Sequence, residues 1–280
     1  MSQEETYDEV EASRMPLMEH LRELRYRLMV SIAALLGGMA VGMIVAKPVF
    51  GFLTAPMRML LKDSQPQPEV DALYLWLTTP IRTLFPVSIS GVKLDGSLVL
   101  TQSPMEVVYT WLQVALITGA LIAAPIIAFQ IWQFIAPGLY STERKVVIPL
   151  TFTSTMLFVV GIGFCYTVMF PIAFPFFLQV LPAERVISIG GYLNTATRML
   201  LAFGVAFQLP VAVWFAARLG FIDHQDMVKG FRYSVVVLFT IAAILTPPDI
   251  TTQCILAIPL VILYILSIGV AWMWTTKKRA

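Results

Sequence analysis

Two carboxylates stand among bases where this chain leaves its long apolar runs. Glu23 lies in MPLMEHLRELRYRL, residues 15–28, with Arg22, Arg25 and Arg27 close by. Glu143 follows the Pro137–Gly138 pair and is followed directly by Arg144 and Lys145. A carboxylate near a bilayer interface suits the binding of a guanidinium, which can donate two parallel hydrogen bonds to it. A pair of such acids could hold a pair of arginines. Each charge-assisted bond contributes about 1.5–3 kcal/mol net, and less as salt rises. The alternative on physical grounds is a solvated interfacial face in which these acids only balance Arg25, Arg27, Arg144 and Lys145.

Other chemistries lack their parts. No apolar run carries Asp, Glu, Lys or His near its middle, where a proton relay or an ion-coupled carrier needs one. A small-solute secondary transporter, the alternative reading, would need such a group. His20 and His224 both lie outside the apolar runs, so an intramembrane hydrolase lacks its base and a metal centre its ligands. Cys165 and Cys254 lie inside apolar runs and read as small hydrophobes. No cofactor is expected. The polar side chains at depth are Gln113, Gln130 and Gln208. Gln208 can bond across helices or offer a docking point to a partner helix, but it cannot titrate.

The elements that must position these groups are membrane helices. The chain has 280 residues, 58% hydrophobic and only 13% charged, with a mean hydropathy of +0.79. A soluble domain is roughly 25% charged. The net charge of +2 is too small to argue for nucleic acid. Glu4, Glu5, Asp8, Glu9 and Glu11 precede any base, the opposite of a secretory leader. Residues 1–14 read as an acidic disordered tail, and 15–280 as a single six-span membrane domain.

The spacing of Leu17, Leu21, Leu24 and Leu28 predicts an amphipathic lead-in, followed by a first span near 28–46. Gly38 and Gly42 there form a small-xxx-small step. A long first external loop covers about 47–107. Within it 50–61 reads as a short interfacial helix, and 65–96 has no clear element. The second span, near 108–132, is interrupted at Pro125. The third, near 146–170, breaks at Pro171 and Pro175. A second external loop, 176–192, leads to a fourth span near 193–217, kinked at Pro210. The fifth, near 233–245, is short, and the sixth covers about 254–274. Twelve bases fall on one alternation of loops and seven on the other, five of the seven in the long loop. Both termini are therefore expected in the cytoplasm.

Several runs resemble the TatC family, the multi-span subunit of the twin-arginine protein translocase. FIAPGLYSTERK, Phe134 to Lys145, is similar to that family's F-I-A-P-G/A-L-Y-x-x-E-[RK] hairpin, and His20 to Leu28 is similar to its H-L-x-E-L-R-x-R-L motif. Pro56 matches a family Leu-x-x-Pro step, Thr246 to Asp249 (TPPD) a further run, and Gln208 stands where several members have Glu. Residues 65–96 depart from the pattern.

The resemblance implies an all-α, concave six-span bundle without enzyme activity, driven by the proton-motive force. It also implies that Glu23, Arg25, Phe134, Tyr140 and Glu143 bind signal peptides bearing consecutive arginines. Pro56, Gln208 and Asp249 would serve structure or partner subunits. The implied partners are those signal peptides on folded precursors, single-span TatA- and TatB-like subunits, the lipid bilayer and further copies of the chain. The implied location is a bacterial inner membrane.

Overall fold

A computed structural model describes residues 17–60, 72, 75–76, 104–135, 147–174, 189–245 and 250–279. Among them every regular element is helical, as expected. The tail, the hairpin tip 136–146, the segment 246–249 and nearly all of 65–96 lie outside the described residues.

Helix α1 (Leu17–Ile44) joins the lead-in and the first span without a break. No Pro or Gly separates Glu19 from Leu36, so nothing interrupts the backbone ladder. The Leu21, Leu24 and Leu28 stripe is exposed on it, so this stripe faces away from the protein. α1 lies along α3 (Pro104–Ile135), its principal neighbour. The contact depends on small residues. A Cβ on Gly38 would stand 2.7 Å from the Gly119 carbonyl, and one on Gly42 would stand 3.0 Å from that of Ala115. The small-xxx-small step therefore does bring two backbones together. Helix α3 runs unbroken through Pro125, contrary to the expected interruption. A membrane helix tolerates such a Pro when its neighbours and local adjustment satisfy the freed carbonyl.

Helix α2 (Ala46–Leu60) begins earlier than the sequence suggests, one residue after α1 ends its last turn at Val45. Its residues Leu53, Ala55 and Met57 are buried in the main core.

Helix α4 (Val147–Phe164) passes into a π-helical turn, Cys165–Met169, and continues to Phe174. The expected break at Pro171 is thus replaced by a widened turn just before it. The Phe170 N–H reaches the Cys165 carbonyl. That i→i+5 bond relieves the crowding a proline ring brings to the preceding turn.

The fourth run, expected to kink at Pro210, forms two helices, α5 (Ile189–Ala206) and α6 (Leu209–Leu219), separated at Phe207–Gln208 just before that proline. α4 and α5 approach closely, since a Cβ on Gly161 would meet the Phe203 carbonyl at 2.7 Å. α6 stops at Gly220 in the left-handed region (φ 81°), where the Phe221 N–H caps the Ala216 carbonyl at 3.0 Å. The short α7 (His224–Lys229) carries an Asp223–Asp226 capping box. α8 (Phe231–Leu245) and α9 (Ile250–Arg279) complete the chain. The Gln253 amide donates to the Phe239 carbonyl at 2.9 Å, joining these two.

The centre is filled by Phe170 of the α4 extension, Leu193, Met199, Leu200 and Phe203 of α5, and Leu256 of α9, all fully buried. Five helices are long and apolar enough to cross a membrane by length and composition, and Phe231–Ile244 is a shorter sixth.

Candidate functional site

The beginning of α1 and the end of α3 build one polar network. Glu23 and Arg27 are four residues apart and so share a helix face. The Arg27 Nε donates to Glu23 Oε1 at 3.0 Å, and its Nη2 donates to the same oxygen. The Arg27 Nη1 turns to α3, donating to Gln133 Oε1 at 2.7 Å and to Gln130 Oε1 at 3.4 Å. One arginine is thereby shared between an acid of its own helix and two amides of the next. Glu23 Oε2 is buried and has no hydrogen-bond partner among the described residues. Such an oxygen costs about 1–3 kcal/mol until a donor reaches it.

Beside this network His20 stacks on Phe134, with ring centroids 4.6 Å apart and planes 25° from parallel. Phe134 is thus brought to Glu23's end of α1. Arg25 is exposed, about 200° around the helix from Glu23, and so on another face. Tyr140 and Glu143 lie outside the described residues, in the connection between the end of α3 at Ile135 and the start of α4 at Val147.

A second polar group ties three helices deeper in the bundle. The Trp132 indole of α3 donates to Ser154 Oγ of α4 at 2.8 Å. The Gln208 amide, at the α5–α6 break, donates to the Ser154 carbonyl at 3.0 Å. Gln208 therefore does make an interhelical bond. It also lines a cavity of about 390 Å³ with Trp132, Ser154, Phe158, Ile131 and Ala128. Both roles weighed for it remain compatible with its position.

Pro56 is buried within α2. Lacking an N–H, it leaves the Phe52 carbonyl without its helical donor. The Tyr166 hydroxyl, from the π turn of α4, donates to that carbonyl at 2.6 Å. Tyr192 of α5 donates to the Leu53 carbonyl at 2.9 Å. This proline thus shapes a joint between α2, α4 and α5. Asp249 lies outside the described residues. Among the described residues no cluster of His, Cys, Asp or Glu has the number to hold a metal.

Sequence reasoning missed Gln133, Arg27 as the partner of Glu23, and Tyr166. The Glu23–Arg27 spacing was readable as an i,i+4 pair. Gln133 carried no signal, because its contact with Arg27 joins residues 106 apart.

Residues 19–259 match the family described as "Sec-independent protein translocase protein (TatC)". The chain is 34% identical over 275 residues to a protein of that name from Desulforapulum autotrophicum, covering 96% of this chain and 88% of the relative. It is 35% identical over 269 residues to another from Aquifex aeolicus, covering 95% and 98%. Its fold is similar to a crystal structure of the twin arginine translocase receptor TatC, with a TM-score of 0.73 and 32% identity, over 92% of this chain and 100% of that one.

Proposed function

The chain belongs to the TatC family, and from that premise we propose that it is the signal-peptide receptor of a twin-arginine translocase. It is a translocase component and not an enzyme. In this reading it binds the paired arginines of signal peptides on folded precursors. It then nucleates the translocation complex with single-span TatA- and TatB-like partners and further copies of itself. Six spans carry it through a bacterial inner membrane with both termini in the cytoplasm, residues 15–280 forming one membrane domain.

Glu23 and Glu143 take the two arginines, with Arg25, Phe134 and Tyr140 around them. The observation that supports this most is Glu23 itself. Its carboxylate is fixed near the start of α1, with one oxygen engaged and the other buried without a donor. It stands close to Phe134, from which the chain enters the segment bearing Tyr140 and Glu143. Gln208 offers partner helices a polar point on the 390 Å³ cavity. Pro56 holds the α2 joint, and Asp249, which lies between α8 and α9 in the sequence, serves structure or partner subunits in this reading.

The test is site-specific photocrosslinking to a twin-arginine precursor from probes placed beside the acids, at positions 22 and 142. Crosslinks should form at both, should be lost with Glu143→Ala, and should weaken in raised salt and with a precursor whose arginines are replaced by lysines, since an ammonium cannot make the planar two-bond contact. Wild-type crosslinking in Glu23→Ala, Glu143→Ala and the double variant would refute the assignment.

A further inference from the structure

We infer that Arg27 is a resident competitor at Glu23, which an arriving arginine must displace and which returns to speed release. The inference rests on the reading of Glu23 as an arginine acceptor. Three observations carry it.

Arg27 offers Glu23 the same chemical group that the ligand brings, and it does so through Nε and Nη2 onto Oε1 alone. A carboxylate engaged at one oxygen, with the other buried and undonated, is incompletely satisfied. A guanidinium spanning both oxygens therefore has an advantage over the resident one. Second, Arg27 does not lose all its partners when it is displaced. Its Nη1 already donates to Gln133 at 2.7 Å, with Gln130 behind it. Third, the α1–α3 pair does not need Arg27 as a tether. Their backbones meet at Gly38–Gly119 and Gly42–Ala115 along the apolar part of the helices.

Exchange of one guanidinium for another leaves the net number of ion pairs at Glu23 unchanged. Binding affinity is then held down and dissociation made fast, which suits a receptor that must hand its ligand on. Gln133 keeps its bond to Arg27 whether or not Arg27 holds Glu23, so it steadies the displaced guanidinium without favouring either state.

The experiment uses the full chain in detergent and a fluorescently labelled synthetic peptide carrying two consecutive arginines before an apolar segment. Anisotropy titrations at fixed low salt are combined with thermal unfolding. Arg27→Gln should bind the peptide about two- to ten-fold tighter, the range expected when a competing, partly exposed ion pair is removed, and most of the gain should appear as slower dissociation. A folded Arg27→Gln variant that binds equally or more weakly, with rescue by Arg27→Lys, would make Arg27 a positioning group and overturn the inference. If Arg27→Gln does not fold, Arg27→Lys decides, since its ammonium is the weaker partner for Glu23: tighter peptide binding than wild type supports the inference, and unchanged or weaker binding overturns it. Glu23→Gln separates this from the underlying reading. If it leaves peptide binding intact, the receptor assignment of Glu23 fails as well. If it abolishes binding while Arg27→Gln brings no gain, only the competitor fails.

Discussion

At Pro56 the backbone of α2 has no N–H to give the Phe52 carbonyl, and the Tyr166 hydroxyl supplies the missing donor at 2.6 Å. Tyr166 is buried, and its ring stacks on Phe52 with centroids 4.3 Å apart. Tyr166→Phe keeps the ring and removes only the donor. It should lower stability by about 1–3 kcal/mol, the cost of leaving a buried carbonyl unpaired, read as a lower midpoint in thermal unfolding of the detergent-solubilised protein. A shift no larger than that of a surface substitution would mean that water or a rearranged neighbour serves the Phe52 oxygen. Pro56 could be singled out from the sequence because it sits in a recognisable run. Tyr166 could not, because it lies 114 residues from the carbonyl it serves. The same holds at Glu23. The acid was visible among its arginines, and the i,i+4 spacing to Arg27 was visible too. Which arginine it keeps, and that Gln133 shares it, is decided by how α1 and α3 pack.

Helices and breaks were legible to the extent that they depend on local chemistry. The apolar runs became helices near the expected residues, and the break at Phe207–Gln208 falls just before Pro210. Prolines 125 and 171 were misjudged for one physical reason. A proline costs a helix one bond and some crowding, and tertiary neighbours or a π turn can absorb both. Pro171 has the Cys165–Met169 π turn just before it. Glycines were better guides when their neighbours could be seen. Gly37 and Gly38 are adjacent in α1, yet a Cβ on Gly37 meets nothing within 4 Å, whereas one on Gly38 runs into the Gly119 backbone at 2.7 Å. Gly38→Ala should therefore force α1 away from α3 and cost about 1–3 kcal/mol, as overpacking does. Gly37→Ala should be neutral or mildly stabilising, since Ala is the better helix former. Thermal unfolding of the two variants side by side checks this, and equal effects would remove the close α1–α3 approach as the cause.

At the scale of the molecule, the contacts gather the same ends of many elements. The start of α1 meets the end of α3 through Arg27 and Gln133. The end of α3 packs with the start of α4 and with α6 through Trp132, Leu150 and Phe215. α6 and α7 meet the far part of α9 through Ala217, Met227 and Ala271. The first and last described helices therefore bring their outer ends to one side of the bundle, the parity that six crossings require. α8 is the weak member, because its 15 residues span only about 22 Å of a hydrocarbon core about 30 Å thick. In the proposed six-span arrangement it crosses by local thinning of the bilayer or with partners covering the mismatch. The gathered side carries Arg22, Arg25, Arg27, Arg218, Lys229 and Arg232. The proposed orientation puts this basic side in the cytoplasm, in keeping with the positive-inside rule. A single cysteine placed at position 90, in a chain with Cys165 and Cys254 replaced, should react with a membrane-impermeant maleimide added outside intact cells. One at position 141 should react only after the membrane is opened. If position 141 is labelled from outside and 90 is protected, the orientation is inverted, and Glu23 and Glu143 would face away from any precursor made in the cytoplasm. If both are labelled from outside, α3 does not cross the membrane and the six-span count fails.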